Sequence, residues 1–203
     1  MIDPPWEYRQ RWLQAGKGNA LTHDGLAGIF KHGGRNGNSR AGIRGAASKY
    51  GCMTLADIRA LPVGEWAEDD AHLWLWTTNH FMVEAHQCMK DWGFSYKTMI
   101  TWVKPQLGMG MYLRNTTEHV LFGVRGRLKL LRRDVRTDLH APRGEHSQKP
   151  DAFYDMVEMA SPGPWLDVFA RRHRMGWDVA GNEVYSCIPE LAAKAVDHAD
   201  QRR

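Results

Sequence analysis

The sequence predicts an α/β fold with a mostly parallel sheet, and three neighbouring stretches carry that prediction. Ala71-His72-Leu73-Trp74-Leu75-Trp76 is a short apolar run of the kind that forms a buried strand. From His80 to Trp92, Phe81, Glu84-Ala85, Cys88-Met89 and Trp92 recur at three-to-four spacing, which marks an amphipathic helix closed by Gly93. Tyr96 to Val103 is rich in β-formers and stops at Lys104-Pro105. Strand, helix and strand within about 35 residues make a βαβ unit, whose crossover implies parallel strands. The chain has 203 residues, the size of one domain with one sizeable core, so residues 1–203 are taken as a single domain.

The other elements follow from local signals. Met1-Ile2 reads as the end of a strand. Residues 7–51 hold ten glycines, too many for regular structure, with Lys17, Arg35, Arg40 and Arg44 among them. Two readings stand for this segment: a mobile basic flap beside the N-terminal residues, or a stretch without fixed structure. Thr54 is placed to N-cap a helix running to about Leu61, with Asp57 in its first turn and Pro62 ending it. Thr77-Thr78-Asn79 is a turn, and residues 106–115 are a second loop. His119 to Val124 reads as another strand. Pro150 suits the first turn of a helix over Asp151–Ala160. After the turn Ser161-Pro162-Gly163, Trp165 to Ala170 is a strand. Residues 189–199 suggest a terminal helix, within a C-terminal helix and tail over 184–203.

Composition narrows the function classes. The chain is 43% hydrophobic and 25% charged, with net charge +4 and a pI near 9.0. That balance permits a nucleic-acid partner without demanding one. No run of about 18 apolar residues exists to span a membrane. Asp3 and two prolines interrupt any signal-peptide core. Cys52, Cys88 and Cys187 make neither a metal motif nor a disulfide framework, so no metal and a cytoplasmic setting are expected.

The chemistry concentrates in Asp3-Pro4-Pro5-Trp6. A carboxylate only accepts hydrogen bonds, and proline keeps its carbonyl while losing its N–H. Two rigid acceptors of this kind could take both hydrogens of an exocyclic amine while Trp6 stacks on the ring. Orienting both N–H bonds frees the nitrogen lone pair for attack. The acceptors also stabilise the positive charge that develops there. A rigid Pro-Pro turn with a surface tryptophan is the competing reading. Further along, Arg125, Arg127, Lys129, Arg132, Arg133 and Arg136 form the most basic stretch, which suits phosphate contacts or simply a solvated face.

Several short motifs then fall in order: Asp3-Pro4-Pro5-Trp6, Leu73 to Asn79, Trp92-Gly93-Phe94, Trp102-Val103-Lys104-Pro105, Glu118-His119, His146 to Pro150, Phe169-Ala170-Arg171, Gly176-Trp177 and Gly181-Asn182-Glu183. Together they resemble the S-adenosylmethionine-dependent adenine methyltransferases of the seventy-kilodalton MT-A subunit type. That family includes eukaryotic mRNA methyltransferases and shorter bacterial and phage relatives. The resemblance implies a Rossmann-like fold with permuted motif order, the catalytic strand preceding the cofactor strand. It fits the absence of Gly-x-Gly-x-x-Gly after the first strand.

Carried onto this chain, the resemblance makes Asp3, Pro4, Pro5 and Trp6 catalytic. Lys149, Arg171 and His173 match positions that bind the methionine carboxylate and ribose side of S-adenosylmethionine. Asn182 and Glu183 match positions that bind its ribose hydroxyls and adenine. The expected polynucleotide contacts are Lys17, Arg35, Arg40, Arg44, Lys104, Arg125, Arg127, Lys129, Arg132 and Arg133. One departure is that relatives carry a full strand before the tetrapeptide, where this sequence has Met1 and Ile2. Either further residues precede this sequence, or a central strand is lacking and its neighbours go without ladder partners. The implied reaction is methyl transfer to the N6 amine of adenine, in DNA by likeness to the compact bacterial and phage members. RNA methylation or a non-catalytic nucleic-acid scaffold are the alternatives, and a homo- or heterodimer is open.

Overall fold

The computed structural model describes residues 1–7, 53–108, 112–144, 148–181 and 184–188. The elements in chain order are α1 (Leu55–Arg59), α2 (Val63–Trp66), β1 (Ala71–Thr77), a 3-10 turn (Asn79–Phe81), α3 (Met82–Asp91), β2 (Ser95–Val103), β3 (Thr117–Arg125), β4 (Asp138–His140), α4 (Asp151–Ala160), β5 (Trp165–Val168) and β6 (Trp177–Ala180). Thr54 caps α1 as expected, its hydroxyl accepting the Asp57 N–H at 3.1 Å. Beyond Glu7, the expected basic flap lies outside the described residues, as does the terminal helix over 189–199.

Four strands form one sheet in the order β1-β3-β2-β4, and β5 pairs with β6. Residues 1–3 join the two. Ile2 bridges Leu75 of β1 on one side and Val168 of β5 on the other, both in parallel. The Ile2 N–H donates to Trp74 O at 2.9 Å, and the Trp76 N–H to Ile2 O at 2.9 Å. The Asp3 N–H donates to Val168 O at 3.2 Å, and the Val168 N–H to Met1 O at 3.0 Å. These residues thus take the central ladder place, and the backbone groups flanking them are paired.

The sheet is mixed, which corrects the expectation of a mostly parallel one. β1 and β2 do not pair with each other: β3 lies between them and is antiparallel to both. The remaining pairings, β2 with β4 and β5 with β6, are parallel. The physical reason is that β3 follows β2 through a loop, not a crossover, so it returns as a hairpin and fills the gap the α3 crossover left. Strands β4 and β6 escaped the sequence reading because three and four residues are too few to show a period.

Alternation along the strands builds two cores, one on each face of the sheet. Leu73, Leu75 and Leu121 pack with Ala85, Cys88, Met89 and Trp92 of the α3 side. Trp74, Trp76, Val120 and Phe122 pack with Phe153, Tyr154, Met156 and Val157 of α4. Most of the tryptophans are spent here. Gly123 allows α3 its close approach, since a Cβ there would meet Met89 Sδ at 2.8 Å. No helix among the described residues is long and apolar enough to cross a membrane.

Candidate active site

The polar groups gather at one end of the strands. Asp3 leaves the central segment there. Lys104 follows β2, Glu118 opens β3, and Lys149 sits just before α4. Lys149 Nζ lies 3.0 Å from Asp3 Oδ2 and 3.1 Å from Glu118 Oε2. Lys104 pairs with the other oxygen of Glu118. The four side chains form a row of alternating charge, Asp3–Lys149–Glu118–Lys104. Each ammonium also lies over an indole, Lys149 over Trp76 at 4.6 Å and Lys104 over Trp102 at 4.5 Å.

Burial sets the electrostatics, and the neighbours decide its sign. Burial pushes the Asp3 carboxyl above its ordinary value, against the pull of Lys149. Burial also disfavours the charged Lys149, but Asp3 and Glu118 outweigh it and raise its pKa. Burial disfavours ionised Glu118 too, yet Lys149 and Lys104 win and bring it down to about 2. Lys104 goes the other way: burial lowers its pKa in spite of Glu118. Behind the row, His119 Nε2 meets Asn79 Oδ1 at 2.5 Å and Nδ1 meets the Thr101 hydroxyl at 3.1 Å. Burial lowers the pKa of His119, which suits a neutral ring donating to Asn79 and accepting from Thr101.

The tetrapeptide is pinned by its own backbone. The Trp6 N–H donates to Pro4 O at 2.9 Å, and the Met53 N–H to Pro5 O at 3.0 Å. A carbonyl has two lone pairs, so Pro4 O retains acceptor capacity. Trp6 itself is 7% exposed. Its indole N–H donates to Trp76 O at 3.2 Å and its ring stacks on Phe81 at 5.4 Å. The sequence reading put this ring against a substrate base; in the fold its face is taken by Phe81, so the side chain anchors the tetrapeptide in the core.

Beside Asp3 opens a recess lined by Lys149, Tyr154, Asp167, Phe169 and Arg171. Phe169 turns the chain out of β5 with φ +68°, a left-handed conformation that non-glycine residues adopt at a cost. The Phe169 and Ala170 N–H groups both donate to Ala180 O, at 2.6 and 3.0 Å, and hold that turn. Gly181 is required beside it, because a Cβ would stand 2.3 Å from Ala170 O. Arg171 is near enough to Asp3 to favour its ionised form. Asp167 accepts the Tyr154 hydroxyl at 2.8 Å and is raised to about 6 by burial.

Of the residues expected to bind a cofactor, the fold brings Lys149 and Arg171 to this recess. His173 is exposed and is not among the lining residues. Asn182 and Glu183 lie outside the described residues. The expected nucleic-acid contacts fare differently. Lys17, Arg35, Arg40 and Arg44 are outside the described residues. Lys104 is corrected from a phosphate contact to a buried ion-pair partner, 5% exposed. Arg125 is corrected as well: its guanidinium donates to Gly64 O at 2.6 Å. Its strand position faces Ala71, whereas Asp3 follows the segment beside Leu75, toward the other end of β1. Arg127, Lys129, Arg132 and Arg133 are exposed on the segment that leaves β3 from that remote end. Arg132 is already bonded to Asp134 through two nitrogens, at 2.9 and 2.5 Å.

Sequence reasoning gave no role to Glu118, Tyr154 or Asp167. An isolated glutamate heading an apolar strand was the available signal for the first. Among the described residues, no group of three or more His, Cys, Asp or Glu could hold a metal ion.

The MT-A70 family profile matches residues 38–183. The chain belongs to the MT-A70 family. Its relatives include the type II methyltransferase M.MunI of Mycoplasma sp, 32% identical over 186 residues, which covers 90% of this chain and 75% of M.MunI. The N(6)-adenosine-methyltransferase subunit METTL3 of Danio rerio is 32% identical over 160 residues, 71% of this chain and 27% of METTL3. A probable N(6)-adenosine-methyltransferase MT-A70-like protein of Oryza sativa is 35% identical over 147 residues, 66% of this chain and 20% of its own length. This MT-A70 chain therefore spans three quarters of M.MunI but only about a quarter of METTL3. The matched range includes Glu118, Lys149 and Arg171 and begins after the tetrapeptide.

Proposed function

We propose that this MT-A70 chain is an adenine methyltransferase that moves a methyl group from S-adenosylmethionine to the N6 amine of adenine in DNA. The observation that carries this is a carboxylate, Asp3, placed beside a recess whose charges suit an amino-acid-like ligand. Arg171 and the third N–H of Lys149 suit a carboxylate. Asp167 suits an ammonium, and Phe169 and Tyr154 supply apolar faces. The residues present therefore fit the methionine part of the cofactor, with Asn182 and Glu183 proposed for the nucleoside part. When bound, S-adenosylmethionine supplies a methyl already activated by its sulfonium.

What the chain does is position and polarise. Asp3 and Pro4 O accept from the two N–H bonds of the adenine amine and direct its lone pair at the methyl. Lys149 opposes the burial that raises the Asp3 pKa and so favours the ionised carboxylate. As the N–C bond formed and the methyl–sulfur bond broke, with S-adenosylhomocysteine leaving, positive charge would grow on nitrogen, where the Asp3 carboxylate would face it. The methylated amine would then pass one proton to the Asp3 carboxylate and on to solvent, leaving a neutral N6-methyl amine. A base in duplex DNA must leave the stack to reach Asp3.

The polynucleotide is proposed to approach over the loop between β2 and β3, at the same end of the strands as Asp3. Tyr112 and Leu113 are 86% and 82% exposed there, beside the exposed Arg143 and Arg114, the latter with its Nε donating to the Gly108 carbonyl at 2.6 Å and its terminal nitrogens proposed for phosphate. An aromatic among arginines is a combination that stacks bases and contacts phosphate. The permuted, Rossmann-like assignment is supported by the chain order, since the Asp3 segment precedes the β5 turn that shapes the recess. DNA is favoured over RNA because the match to a type II methyltransferase covers most of both chains. The likeness to adenosine methyltransferases favours RNA as the second reading.

The test is a split measurement on Asp3→Ala. The variant is expected to bind S-adenosylmethionine within a few-fold of the wild type and to transfer no methyl. Turnover equal to wild type would overturn the assignment of Asp3.

A further inference from the structure

The loop after β5 carries three arginines in four positions, of which Arg171 and Arg172 line the proposed cofactor recess and Arg174 does not. Arg172 and Arg174 both reach back to helix α4. Arg172 Nη2 lies 2.5 Å from Asp151 Oδ1 and also donates to the Lys149 carbonyl at 3.3 Å. Arg174 grips Glu158 with two parallel bonds, Nε to Oε1 at 2.6 Å and Nη2 to Oε2 at 2.9 Å, and reaches Asp155 at 2.6 Å. Asp151, Asp155 and Glu158 fall at the spacing that places them on one helix face. Between the helix and the loop lies Tyr154, with the Arg172 and Arg174 guanidiniums 5.1 and 5.3 Å from its ring centre. The Tyr154 hydroxyl is fixed in turn on Asp167, and Trp177 donates its indole N–H to Glu158 Oε1 at 2.7 Å.

We infer that Arg172 and Arg174 are positioning residues that clamp this loop to α4 and so set the spacing between Arg171 and Lys149. The inference rests on the reading that the recess takes the methionine end of the cofactor. Arg172 ties the loop directly to the backbone of Lys149, so the two recess cations are held by one clamp. Two of its acidic partners are exposed, with side chains 68% and 60% accessible at Asp151 and Asp155, while Glu158 is 29% accessible. Exposed ion pairs add little stability. Bidentate, stacked arginines instead add geometric definition. Misplacing a binding group by about 1 Å can cost on the order of a hundredfold in function. The clamp therefore acts on binding far more than on folding.

The test measures S-adenosylmethionine affinity by calorimetry and melting temperature on the full chain. The proteins are wild type, Arg171→Ala, Arg174→Gln, Arg174→Glu and the charge-swapped pair Arg174→Glu with Glu158→Arg. The account expects Arg174→Glu to weaken binding on the order of tenfold or more, with Arg174→Gln changing it in the same direction by less. Melting should shift little, and the swapped pair should recover most of the affinity. If Arg171→Ala loses binding while both Arg174 variants bind as wild type, the clamp is wrong and the recess assignment stands. Recovery of melting without recovery of affinity in the swapped pair would also overturn the positioning role. Wild type that binds no cofactor would overturn the recess reading itself.

Discussion

The ammonium of Lys149 lies 3.0 Å from the carboxylate of Asp3. That pairing joins two residues 146 positions apart, one on the central segment and one before α4. It makes the charge of Asp3 depend on a lysine that also lines the proposed cofactor recess. Glu118 and Lys104 extend the row behind it, so the recess and the apolar sheet are linked by alternating charges.

Lys149→Met should move the acid limb of activity upward. Burial already raises the Asp3 pKa, and Lys149 is the largest influence opposing it. Activity needs the carboxylate, so it falls as pH drops through the Asp3 pKa. Without the lysine that pKa rises further, because the opposite charge that favours the carboxylate is gone. The pH profile of kcat at saturating cofactor reads this directly, and an unmoved acid limb would count against the pairing.

Glu118→Gln should cost stability at neutral pH, about 3 kcal/mol for breaking a buried pair. The sign follows from the depressed pKa, about 2 against an ordinary 4.5. The folded state prefers the ionised form, so its contribution is full above pH 4.5 and is lost as pH falls toward 2. Melting temperature against pH should therefore drop less steeply for the variant than for wild type in that window.

Trp6→Phe separates an anchoring role from a stacking one. Phenylalanine keeps an aromatic face but removes the indole N–H that caps Trp76 O. Losing that buried bond should cost about 1–3 kcal/mol in chemical denaturation. A variant of unchanged stability with weakened substrate binding would point back to base stacking.

Two basic surfaces make opposite predictions for DNA. Arg114→Ala with Arg143→Ala should weaken binding of a fluorescent duplex and lower the salt slope by about 1–2, one for each phosphate that no longer meets an arginine. Alanine at Arg127, Arg132 and Arg133 should leave both nearly unchanged, because that segment departs from the remote end of β3. The reverse result would restore the phosphate-binding role that the sequence suggests for this stretch.

What the sequence made legible was local. Helix α3 carried a clear period, Pro150 marked the start of α4, the long strands showed as apolar or β-rich runs, the tetrapeptide stood out by chemistry, and Arg171 stood out through the family resemblance. Lys104 was misread because a lysine after a strand looks solvated until Glu118, 14 positions away, is folded against it. The same holds for Trp6, whose ring finds Phe81 only across the ends of the strands. The place of β3 between β1 and β2 is likewise a matter of pairing, which periodicity within one strand does not encode.

The most direct test is transfer of labelled methyl from S-adenosylmethionine to matched DNA and RNA oligonucleotides, with Asp3→Ala run in parallel. The account predicts label on N6 of adenine in DNA, absent with Asp3→Ala. Label on neither polymer, or label that survives in the variant, would contradict it.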